Sequence, residues 1–148
     1  MFGERGMRAQ YVNEKLLKEM FAWGPEIVIV SLGGDDITTL IRPGHIGWTI
    51  VELCHRIRAS GVRHVIVAGI CKRHVFWEEE MDINRYVKIK NAINKKVMKK
   101  FPVASMMYVC ESGHWSDDGV HLSVAGMLEY CESLRRRLVK DVSFGSVV

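Results

Sequence analysis

The stretch Pro25-Glu-Ile-Val-Ile-Val-Ser-Leu-Gly-Gly-Asp-Asp36 decides how this chain folds. Ile27 to Leu32 is an apolar, largely β-branched run without alternation, the pattern of a parallel strand covered on both faces. Gly33-Gly34 breaks it, and two carboxylates follow at once. Upstream, Val12, Leu16, Leu17 and Met20 form one stripe of a helix over 8–22, which Gly24-Pro25 stops. Downstream the grammar repeats. Ile46, Ile50, Leu53 and Ile57 mark a helix over 46–60 with Gly61 just past its end, and His64-Val-Ile-Val-Ala-Gly69 is the next buried strand. The loop 70–82 is long for a plain connection, which points to function. A basic amphipathic helix over 84–101 ends at Pro102. A third strand over 104–109, a polar loop over 110–122 and a last helix over 123–140, capped by Ser123, complete the series. Residues 1–140 thus read as one domain and 141–148 as a tail.

Alternating strands and helices of this kind build a three-layer α/β/α domain around a parallel sheet with right-handed crossovers. Ligands in such folds bind beyond the carboxyl ends of the strands. Here those ends fall at 33–36, 70–77 and 110–121, the loops richest in Gly, Asp, His and Trp.

Composition narrows the function classes. The 148 residues are 48% apolar and 26% charged, ordinary globular values. Twenty-one Lys and Arg against 17 Asp and Glu give a net charge of +4, too mild to mark a nucleic-acid binder. Lys95-Lys96, Lys99-Lys100 and Arg135-Arg136-Arg137 fit the solvent faces of two helices, without the interleaved aromatics of an RNA-binding surface. No apolar run approaches the length of a membrane span, and residues 1–20 lack a signal-peptide core. Cys54, Cys71, Cys110 and Cys131 have neither C-x-x-C nor zinc spacing and read as buried free thiols, so the expected location is the cytoplasm. No cofactor is implied, and Gly33-Gly34 lacks the length and the Lys of a phosphate loop.

Two short motifs carry chemistry. Asp118-Gly-Val-His121 stands before the last helix, and an Asp three residues ahead of a His lets the carboxylate orient the imidazole through Nδ1. Nε2 is then free to act as a general base. Gly33-Gly34-Asp35-Asp36 closes the first strand. Its carboxylates read equally as turn chemistry, and a carboxylate metal site is a third option. Trp77 and Trp115, in the two loops flanking this end of the sheet, are candidates to line a pocket, and Arg73 is a candidate to meet an anionic group.

The stretch 25–38 resembles the third block of the SGNH (GDSL-type) hydrolases, in which a strand ends in G-x-N-D. Asp117-Asp-Gly-Val-His-Leu-Ser-Val-Ala-Gly126 resembles their fifth block, a D-x-x-H followed by a helix with a small residue. The wording Asp-Gly-Val-His-Leu-Ser-x-x-Gly especially resembles the esterase-type SGNH domains of animal genomes, some of which lie beside retroelement coding regions. The resemblance covers roughly residues 5–139. It implies a flavodoxin-like strand order, ester hydrolysis through a serine acyl-enzyme, and a small ester or acylated substrate. Carried onto this chain, it makes His121 the base and Asp118 its orienting acid. Gly33 and Asp36 become structural members of the third block, Asp35 takes the oxyanion-hole position, and Gly6 corresponds to the second-block glycine.

Two departures accompany the match. The block bearing the nucleophile, a strand ending in G-D-S, finds no place between Met1 and the second block, and no serine stands in a G-D-S setting. Asp35 occupies the place of an Asn donor, where losing one such donor typically costs about 10²–10³ in rate. The expectation is therefore an N-terminally incomplete, catalytically impaired esterase-like domain. The alternative is a binding or assembly module on the same fold, including one that binds nucleic acid through the basic helices. A sheet lacking its first strand also leaves Ile27–Leu32 with a bare edge, which predicts a homodimer through that edge or the tail 142–148 docked on it.

Overall fold

The computed structural model describes residues 2–145, with side chains to Val142. Three parallel strands in the order β1-β2-β3 form the sheet: β1 (Ile27–Val30), β2 (His64–Ala68) and β3 (Val103–Ala104). In register, Ile27 faces His64 and Val30 faces Val67, while Val67 and Ala68 face Val103 and Ala104. Helices α1 (Glu14–Trp23), α2 (Pro43–Ala59) and α3 (Ile83–Met98) cover one face, and α4 (Val124–Gly145) lies on the other. This is the three-layer α/β class that the strand–helix alternation implies, with the flavodoxin-like arrangement that the resemblance implies.

The two layers are unequal. Leu17 and Met20 of α1, Val28 and Val30 of β1, Ile46, Ile50 and Ile57 of α2, and Ile93 and Val97 of α3 share one large core. On the opposite face α4 covers a smaller cluster of Ala68, Ala104, Met106, Val109 and Trp115.

Several boundaries differ from the sequence reading, each for a local reason. Helix α1 begins at Glu14 rather than 8, because the Asn13 side chain accepts hydrogen bonds from the backbone N–H of Lys15 and Leu16. The N–H groups of Ala9 and Gln10 are committed instead to Asp36, at 2.8 and 3.2 Å, and so cannot join a helix. Helix α2 begins at Pro43, a residue preset for a first helical position. Strand β3 is short and ends at Ala104, because a turn with Val109 N–H bonding the Met106 carbonyl follows and exposes Met107 and Tyr108. Helix α4 runs past Lys140 to Gly145. Tail residues 142–145 are therefore helical and do not form a docked strand, and residues 146–148 lie outside the described part.

Strand β1 also departs from expectation. Val28 and Val30 point into the large core, but Ile27 and Ile29 remain 39% and 37% exposed on the α4 side. One face of this strand is open, and among the described residues no strand lies beside its outer edge.

Candidate active site

All three strands are parallel, so the segments that follow them gather at one end of the sheet. At the first, Gly33 adopts a left-handed φ of +111°, and a Cβ there would stand 2.9 Å from Ile70 and 3.0 Å from Ile50. Only glycine turns the chain this tightly against α2 and the β2 exit. The turn delivers Asp36 into complete burial, where its carboxylate accepts the Ala9 and Gln10 N–H groups and fastens the N-terminal segment over the site. Burial raises the Asp36 pKa above the usual carboxylate value, and the two backbone bonds oppose that rise. Asp36 is thus a structural member, as the third-block match implies. Asp35, by contrast, sits at the surface of the corner.

The third strand end carries the dyad. A short 3₁₀ turn, Ser112–His114, and the loop to Ser123 present Asp118 and His121. Asp118 Oδ1 accepts from the Val120 N–H and the His121 N–H, both at 2.8 Å, and from the Ser116 hydroxyl at 2.9 Å. Its Oδ2 meets His121 Nδ1 at 2.5 Å. The bond to His121 first, then these backbone and hydroxyl donors, hold the carboxyl well below the usual range. An ionised Asp118 keeps the imidazole proton on Nδ1 and leaves Nε2 as the free acceptor, the arrangement a general base needs. The His121 side chain is 65% exposed, and no hydrogen bond among the described residues engages Nε2.

Neighbouring loops brace this arm. The His74 N–H donates to the Gly119 carbonyl at 2.8 Å, and Trp115 Nε1 donates to the Lys72 carbonyl at 3.2 Å. Ser123 caps α4 through the Gly126 N–H and donates its own hydroxyl to the Gly113 carbonyl. A Cβ on Gly126 would collide with the His114 carbonyl, which explains the small residue at that position.

The remaining candidates fall into two groups. Gly6, Asp35, Arg73 and Trp77 line one cleft of about 360 Å³, together with Gly34, Phe76 and Tyr86. Trp115 does not belong to it: its ring is buried against Ala68 and Val109, with the His74 ring edge-on at 4.5 Å, so it packs the loops together. Arg73 reaches Asp35 at 3.4 Å and ties the second strand end to the first. His114 is structural, with Nδ1 accepting the Cys110 and Glu111 N–H groups. Of the cysteines, Cys54 is buried, with its thiol pushed up to about 12, and Cys71 is half-buried, with its thiol pushed up to about 11, both by desolvation. Cys110 and Cys131 are exposed, contrary to the buried reading. The described residues hold no cluster of three or more His, Cys, Asp or Glu suited to a metal ion, and no described helix is long and apolar enough to cross a membrane.

Sequence reasoning missed Ser116 and Tyr86. Ser116 lies two residues before Asp118, and only the loop's return past Asp118 gives it a partner. Tyr86 lies inside an amphipathic helix pattern and reads there as core.

Comparison with solved structures fixes the architecture. Axe2, an acetylxylan esterase from Geobacillus stearothermophilus, superposes with a TM-score of 0.68 at 13% identity, over 90% of this chain and 68% of that one. A lipase/acylhydrolase from Enterococcus faecalis gives 0.68 at 20% identity, over 93% and 71%. TesA gives 0.64 at 20% identity, over 82% and 67%. The fold is of the SGNH-hydrolase type. No family model and no curated protein matches the sequence. This chain therefore shares its fold with these proteins at identities where shape alone is informative, and it spans about two thirds of their length.

Proposed function

We propose that this chain carries the acid–base half of an ester-hydrolase site, and that as it stands it turns over small acyl esters negligibly. The observation that carries the reading is the Asp118–His121 couple with Nε2 unoccupied at the carboxyl end of the sheet. That couple is suited to take a proton from an attacking hydroxyl. Among the described residues, no serine hydroxyl is bonded to His121 Nε2. Ser116 gives its proton to Asp118, Ser31 pairs with Tyr130 at 2.6 Å, Ser60 with the Ile57 carbonyl and Ser123 with the Gly113 carbonyl. The oxyanion position adds a second obstacle, since an anionic Asp35 there repels the charge that an acyl intermediate develops. Among the solved neighbours, one structure is a catalytic mutant of Axe2 in which a serine is replaced by alanine. Four free thiols accord with a reducing compartment such as the cytoplasm.

A fluorophosphonate probe tests this directly. The intact chain should remain unlabelled under conditions that label an active serine esterase completely. Stoichiometric labelling that depends on His121 would overturn the reading.

A second reading is favoured by the open side of β1. Its unpaired edge and the exposed Ile27 and Ile29 make this strand an assembly surface, with a second copy of the chain as the occupant. Two-fold symmetry would pair the two β1 strands antiparallel and extend the sheet to six strands.

A further inference from the structure

We infer that the cleft between the 34–38 corner and the 73–86 segment binds an amphipathic acid, a carboxylate or phosphonate bearing an aromatic or acyl tail, with Arg73 holding the anion. The guanidinium is largely desolvated, with 18% of the side chain exposed, and lies over the Tyr86 ring at 5.4 Å. Besides the Tyr86 hydroxyl, which it also engages, its partners are two long contacts, 3.4 and 3.5 Å, both to the same oxygen, Asp35 Oδ1. A guanidinium offers five N–H donors in a fork matched to a two-oxygen anion, and one distant carboxylate oxygen with one hydroxyl does not use them all. Arg73 lines the cleft, which places its remaining donors within reach of a ligand there. Gly34 is what admits the guanidinium, since a Cβ there would stand 2.9 Å from Arg73 Nη2.

The rest of the cleft suits the tail. The Tyr86 and Phe76 rings meet at 5.3 Å, tilted by 42°, Met81 is a buried part of the lining, and Trp77 projects from the rim at 94% exposure. A volume near 360 Å³ fits a small molecule. Formal charges on the lining balance, Arg8 and Arg73 against Asp35 and Glu78. Glu78 turns both oxygens to the Thr39 N–H, with one also taking the Thr39 hydroxyl. An anion therefore enters by replacing Asp35 on the arginine rather than by long-range attraction. That exchange gives a signature which a merely structural Arg73–Asp35 strap lacks: removing the Asp35 charge strengthens binding instead of weakening it.

Calorimetric titration of the full chain with phenylphosphonate, with thermal melts in parallel, tests this. Wild type should bind saturably, Arg73→Gln about tenfold or more weaker, and Asp35→Asn about threefold or more tighter. Arg73→Lys, which keeps the charge but loses the fork, should fall between wild type and Arg73→Gln, and it covers the case where the glutamine variant fails to fold. Trp77→Ala should weaken phenylphosphonate but leave methylphosphonate unchanged. His121 does not line the cleft, so His121→Ala should bind like wild type. Failure here then leaves the acid–base reading standing, and the converse also holds. Absence of saturable binding, equal binding by Arg73→Gln, or parallel losses of binding and melting temperature in Asp35→Asn would overturn the inference.

Discussion

Strands β1 and β2 are nearly the same in composition, Ile-Val-Ile-Val against His-Val-Ile-Val-Ala, and they lie side by side in register. Their surroundings are not alike. In β2 the four residues from Val65 to Ala68 are all buried, whereas β1 alternates exposed and buried along its length. The second strand has a neighbour on each side and a helical layer on each face. The first has one neighbour and one covered face. A continuous β-branched run therefore records what a strand is built to be packed in, and position in the sheet decides how much of that packing one chain supplies.

The sharpest way to break this comparison is to truncate the same residue type in both strands. Ile66→Ala, at 1% exposure in β2, should cost roughly 2–5 kcal/mol through lost burial and the cavity left behind. Ile29→Ala should cost about 1 kcal/mol or less, because its side chain already meets solvent. Denaturant unfolding of the two variants measures both. Equal losses would mean that Ile29 is covered in solution as fully as Ile66.

A smaller effect on stability, but a sharper one on assembly, is expected from charge placed on the open face. Ile27→Lys/Ile29→Lys should leave the melting temperature within a degree or two, since single exposed substitutions are usually worth less than about 0.5 kcal/mol. The same double variant should abolish any self-association of wild type through β1, as edge lysines do elsewhere. Sedimentation velocity reads this. A wild-type chain that remains monomeric at high concentration would remove the assembly reading.

Much of this was legible in the chain. The strand–helix alternation, the Gly33 break and the D-x-x-H before the last helix give the layers, the first strand's end and the dyad, because period, turn chemistry and short spacing are local properties; the strand order comes from the family resemblance. What local patterns do not carry is partnership across the fold. Nothing near Asp36 in sequence indicates that it anchors Ala9 and Gln10, and nothing near Trp115 distinguishes a loop-packing indole from one lining a pocket. The half-open state of β1 is hidden for the same reason: Ile27–Leu32 reads as doubly covered, and only its place at the sheet edge says otherwise. Residues 8–13 carry helical periodicity, yet the Asn13 cap and the buried carboxylate outweigh it.

On the proposed reading, base and orienting acid are assembled at the carboxyl end of the sheet, and no described residue is a nucleophile positioned to use them. Hydrolysis of p-nitrophenyl acetate by the intact chain and by His121→Ala tests it most directly. Both should show the same slow, non-saturating background rate. Saturable turnover by the wild type that disappears in His121→Ala would contradict the account and place an unrecognised hydroxyl or thiol within reach of Nε2.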